Sequence, residues 1–95
     1  MGLSERRQED RSSLFQLADL QLEQGSTVHR VKVRNISSHG LMCEGTVKVV
    51  RGTRLSVNLR NVGPVAGSVA WVQDDRFGVA FDEEIDASLP QMPDL

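Results

Sequence analysis

The chain has a single cysteine, Cys43, in 95 residues, so no internal disulfide can form. No Cys/His cluster shows metal-ligand spacing either, and the simplest expectation is a reduced, metal-free, cytoplasmic domain. Tyrosine is absent, and three Phe and one Trp make up the whole aromatic set. Nowhere is there an apolar run long enough to span a bilayer as a helix. The opening Met1-Gly2-Leu3-Ser4-Glu5-Arg6-Arg7 lacks the apolar core of a secretory leader, and Arg6 stands where a myristoylation motif requires Ser or Thr. Acids are nearly missing from the middle of the chain. Between Gln24 and Gln73, Glu44 is the one acid against Arg30, Lys32, Arg34, Lys48, Arg51, Arg54 and Arg60. From Asp74 onward the balance reverses, with Arg76 alone against Asp74, Asp75, Asp82, Glu83, Glu84, Asp86 and Asp94. The net charge is only −2, but its distribution fits an anionic ligand held by the central strands. The competing reading is solvent-facing charge on half-buried strands.

What is present is a succession of short alternating runs. A chain of this length makes one domain with a modest core. Residues 1 to 12 are polar, charged and without periodicity, and are predicted to form a flexible segment ahead of a domain over 13 to 95. Leu14 to Leu22 contains good helix formers, but the Leu20/Leu22 alternation and the turn at Gly25 favour a strand. From Thr27 to Ile36, Val31 and Val33 face one way and Arg30, Lys32 and Arg34 the other, the period of a half-wet sheet. Leu41 to Glu44 resumes the sheet, Gly45 suggests a bulge, and Val47 to Val50 is expected to continue the strand. Leu55, Val57 and Leu59 alternate with polar residues, and Asn61-Val62-Gly63-Pro64 signals a turn. Val65, Gly67, Val69 and Trp71 then share a face, as do Phe77, Val79 and Phe81 after the turn at Gln73-Asp74-Asp75-Arg76. Strands at this spacing imply an antiparallel barrel or sandwich, and closure would remove exposed edges. At the end, Asp82 is placed to cap a short helix through Leu89, which Pro90 would stop.

Two short motifs carry the functional reading. Asn35-Ile36-Ser37-Ser38-His39-Gly40 sits between apolar, β-branched runs and taken alone reads as a hairpin loop. It follows an Arg-x-x-x-Arg pair, Arg7 and Arg11. Together with Gly67-Ser68-Val69-Ala70-Trp71 and Phe77-Gly78-Val79-Ala80-Phe81, these motifs make the chain resemble a PilZ domain, the bacterial receptor module for cyclic di-GMP, over almost its whole length. The resemblance implies an all-β fold, a six-stranded antiparallel β-barrel with a short C-terminal helix. It also implies ligand-binding roles for Arg7, Arg11, Asn35, Ser37 and Gly40, with Arg6 as an auxiliary. A guanidinium forks onto phosphate or onto guanine O6 and N7, and it stacks on a base. Asn35 would meet a guanine edge, Ser37 would add a hydroxyl bond, and Gly40 would let backbone come close. Asn35 replaces the Asp common in the family, and His39 stands where a second Gly is common.

Other conspicuous residues have plainer readings. Trp71 could stack on a base, but it follows the Val69 alternation and is expected in the core; Cys43 is expected as a small core filler, His29 as structural, and His39 as a solvent-facing loop residue ahead of a ligand contact. Arg34 and Arg76 are surface charges or outer contacts to a ligand. Ser37 and His39 have no orienting acid or oxyanion hole, so no catalytic residue is assigned. The sequence therefore reads as a stand-alone, non-enzymatic cyclic di-GMP receptor without cofactors. Its N-terminal segment is expected to order around the ligand and change the surface offered to a protein partner. A nucleotide-independent adaptor of the same family is the first rival. A small barrel that binds single-stranded nucleic acid is the second, and it lacks the expected exposed aromatics among basic residues.

Overall fold

The computed structural model describes residues 15–93. Six antiparallel strands, β1 (Gln16–Leu22), β2 (Val28–Arg34), β3 (Gly40–Glu44), β4 (Arg54–Leu59), β5 (Gly63–Gln73) and β6 (Arg76–Phe81), close into a barrel in the order β1-β2-β3-β6-β5-β4. The alternation in the sequence supplies the inner face. Leu20, Val31, Val33, Cys43, Val57, Leu59 and Phe77 are essentially sealed from solvent, and among the described residues no polar or charged side chain is buried. With every inward position apolar, closure removes a continuous hydrophobic surface from water and leaves the barrel without a free sheet edge along most of its length. The strand assignment for β1 is borne out, in register with β2 from Gln16↔Val33 to Gln21↔Val28.

Three local expectations are corrected. Val47 to Val50 does not continue β3; the chain leaves the sheet at Gly45, whose N–H bonds Asp75 C=O at 2.9 Å. Residues 82–88 form no helix, and the C-terminal turn is a single 3-10 turn, Leu89–Gln91, with Pro90 inside it. Four acids crowd positions 82 to 86, where helical geometry would stack like charges on one face. The backbone has other partners there as well: Ile85 N–H donates to Ser38 C=O at 3.0 Å. Asp86 Oδ1 instead accepts from Ser88 N–H and Oγ–H, holding the approach to the 3-10 turn and lowering the Asp86 carboxyl pKa. The segment crosses the barrel mouth to the start of β1, where Gln16 Nε2 donates to Pro90 C=O at 2.6 Å.

The third correction is Trp71. Alternation from Val69 would put it inside, but the β5–β6 register shifts between Val69 and Trp71. This bulge turns the indole to the outer face, where it is 41% exposed.

Candidate functional site

The Asn35–Gly40 loop is built by its own short polar groups. β2 ends at Arg34, and Asn35 takes a left-handed φ of 53°, a conformation that Asn tolerates better than most residues. Ser37 N–H donates to Gly40 C=O at 2.8 Å, closing the turn. Ser37 Oγ accepts from the N–H groups of His39 and Gly40, each at 3.2 Å, and lies 3.2 Å from Gly40 C=O as a donor. This hydroxyl therefore organises the loop from within. Gly40 has no left-handed φ; its requirement is space, because a Cβ there would lie 2.3 Å from the Val79 carbonyl oxygen of β6. The loop is tied outward by Phe81 N–H to His39 C=O at 2.8 Å and by the Ile85–Ser38 bond. His39 is exposed and lies 3.4 Å from Glu84.

Beneath the loop, strand register lines up a row of residues on the outer face. Arg34 of β2 is opposite Met42 of β3, Met42 is opposite Gly78 of β6, and Gly78 is opposite Trp71 of β5. Gly78 makes room for the indole: a Cβ there would fall 2.1 Å from Trp71 Nε1. At the other end of the row, the Phe15 ring sits over Arg34, 5.6 Å from the guanidinium carbon, and over Lys32 Nζ at 5.0 Å. Arg34 Nε lies 3.1 Å from Glu44 Oε1, a charge contact out of line for a hydrogen bond. Asn35, Ser37, His39, Gly40, Met42, Trp71 and Gly78 line an open basin of about 380 Å³. It brings the indole of Trp71 together with amide and hydroxyl groups of the loop, and Arg34 lies outside its lining, opposite Met42.

The structure thus brings Asn35, Ser37 and Gly40 together on one loop. Arg6, Arg7 and Arg11 lie outside the described residues, which begin at Phe15, so the structure places none of them. Met42 is missed by sequence reasoning, which weighs Trp71 as a base-stacking residue but assigns it to the core. The available signal was Gly78 between Phe77 and Val79, a glycine on an outward strand position that an aromatic neighbour can cover. Three of the seven central basic residues, Arg30, Arg34 and Arg54, are matched with acids among the described residues. Arg30 pairs with Asp19 at 2.8 Å, and Arg54 forks onto Asp82 at 2.8 and 2.6 Å. Cys43 is a sealed core residue whose thiol pKa is pushed up to about 12 by burial, which leaves it protonated and unreactive.

Among the described residues no group of His, Cys, Asp and Glu is arranged to hold a metal, and no helix is long and apolar enough to cross a membrane. Comparison with family models matches residues 5–92 to the PilZ domain. Comparison with curated proteins and with solved structures gives no match.

Proposed function

We propose, from the premise that this chain belongs to the PilZ domain family, that it is a receptor for cyclic di-GMP. PilZ domains are non-catalytic receptor and adaptor modules, and the chain is one of them. The observation that carries the nucleotide reading is the outer-face row ending in an exposed Trp71 that shares one basin with the Asn35–Gly40 loop. A guanine stacked on the indole would present its edge to Asn35, and base–aromatic stacking of this kind is worth about 1–3 kcal/mol. The basin is too open to enclose a dinucleotide, so the remaining contacts fall to the arginines of the N-terminal segment.

Covalent geometry allows that arrangement. Register carried one residue beyond Gln16↔Val33 puts Phe15 opposite Arg34, beside the loop. Arg11 precedes Phe15 by four residues and can lie no more than ~14 Å from it; for Arg7 the bound is ~28 Å. Neither bound keeps the two guanidinium groups away from ligand phosphates over the basin. The segment's closure over the ligand would change the surface that a protein partner meets.

Calorimetric titration of cyclic di-GMP into the wild-type domain, with GTP as control, tests this directly. Selective binding is expected, weakened by about a hundredfold or more in Arg7→Ala/Arg11→Ala, since each charge-assisted contact is worth about 1.5–3 kcal/mol. Trp71 is the chain's one tryptophan, so its fluorescence should change on saturation. A folded wild-type domain that binds no cyclic di-GMP would leave the nucleotide-independent adaptor as the function.

A further inference from the structure

β5 is the longest strand, and its two edges are covered to different lengths. β6 pairs with it from Gly67 to Gln73. β4 pairs only from Gly63 to Ser68, and the ladder on that side ends where Val69 N–H bonds Thr53 C=O and Gly52 N–H bonds Val69 C=O. From Ala70 to Gln73, the edge of β5 that faces β4 therefore has no strand beside it among the described residues. Facing this overhang is the segment that was expected to be sheet and is not. Burial along 46–50 still alternates, with Val47 and Val49 packed against the core and Lys48 and Val50 turned out. Among the described residues, no backbone N–H or C=O of Thr46, Val47, Lys48 or Val49 is hydrogen-bonded to another group.

These two unpaired lengths border a groove of about 550 Å³. Val47, Val49, Val50 and Val72 line it together with Asp74, Asp75 and one cation, Lys48. Val50 is 70% and Val72 44% exposed, a large apolar exposure for valines. Neither of these carboxylates forms an ion pair among the described residues, whereas Asp19, Glu44 and Asp82 all do. Backbone groups free on both sides, an apolar lining and two carboxylates against one cation together specify an occupant.

We propose that this groove is a docking slot for one extended strand of a partner protein, with apolar side chains at alternate positions and a Lys or Arg beside Asp74 and Asp75. The inserted strand takes main-chain hydrogen bonds from residues 46–49 or from the β5 overhang and covers Val50 and Val72. The chain's own residues 1–14 have no run of alternating apolar residues and do not suit the slot.

The test is panning a phage-displayed library of random dodecapeptides against the full chain, with counter-selection on Val72→Lys. Both Val72→Lys and a second variant, Val50→Asp, change exposed positions, and thermal melting checks that each remains folded. Enriched peptides are expected to alternate apolar and polar residues and to carry a basic residue. They should bind wild type about tenfold more tightly than either variant. They should also slow amide exchange within 46–49 or 70–73. Asp74→Asn/Asp75→Asn should weaken the same peptides severalfold. No enrichment, equal binding to the two valine variants, or protection confined to other strands would overturn the proposal. Self-association of the wild type that Val72→Lys abolishes would also overturn it, by making a second copy the occupant.

Discussion

At the level of single residues, the motif Asn-x-Ser-x-x-Gly is a set of backbone requirements in this structure. Asn35 supplies the left-handed φ that turns the chain out of β2, and Ser37 collects the N–H groups of His39 and Gly40. Gly40 lets the start of β3 approach the Val79 carbonyl. Gly40→Ala places a methyl 2.3 Å from that backbone oxygen, with no flexible side chain to yield. Overpacking of this kind costs about 1–3 kcal/mol, so denaturant unfolding should show a lowered midpoint with an unchanged slope. Gly78→Ala should behave differently, because the obstructing group is the Trp71 side chain, which can move. Its main effect should be a shifted tryptophan emission spectrum, with a smaller loss of stability. Equal stability losses for the two variants would contradict this distinction between backbone and side-chain obstruction.

Among the elements, the strands were legible because a period of two records which face each residue buries, and a barrel needs that pattern on every strand. Partnership was not legible, since it depends on residues distant in the chain. Val47 to Val50 has the alternation of a strand but is paired with none of the described strands, and the bulge that exposes Trp71 shows only in the β5–β6 register. The segment after β6 illustrates the same point. Asp82 read as a helix cap, but Arg54 of β4 engages both its oxygens, and Asp82 N–H donates to Ala66 C=O. The hydrogen bond from Arg54 is the main reason that the Asp82 carboxyl pKa lies below its ordinary value of 3.8. A carboxyl whose folded pKa is depressed stabilises the fold above its unfolded pKa and loses that contribution as pH falls through the folded value. The contribution should therefore be intact at neutral pH, begin to fade below about pH 4, and be lost as pH falls through the depressed folded pKa. Asp82→Asn should lower the melting temperature slightly at neutral pH, with the difference from wild type closing in acid. Both groups are exposed, so added salt should shrink the effect. A difference that persists undiminished at low pH would mean that the lost contact is not ionic.

For the whole molecule, barrel closure places the start of β1, the Asn35–Gly40 loop and the C-terminal segment around one mouth. Phe15 sits over Arg34 beside the loop, Gln16 holds Pro90, and the loop carbonyls of Ser38 and His39 accept from Ile85 and Phe81. Asn61 adds bonds to the carbonyls of Leu89 and Pro93, fixing the far end of that segment. A ligand that engages the loop from above and the N-terminal arginines from the side would thus load groups already connected through the C-terminal segment. The receptor reading predicts two changes in amide exchange at saturating cyclic di-GMP. Exchange should slow over residues 6–12, where the arginines lie, and at Phe81 and Ile85, whose N–H groups anchor the loop. In Arg7→Ala/Arg11→Ala, at a concentration high enough to restore occupancy, the Phe81 and Ile85 changes should remain while the N-terminal change is lost. Slowing at the loop anchors alone in the wild type would mean that the ligand binds without closing the N-terminal segment. The partner-facing change would then have to originate in the 82–88 segment.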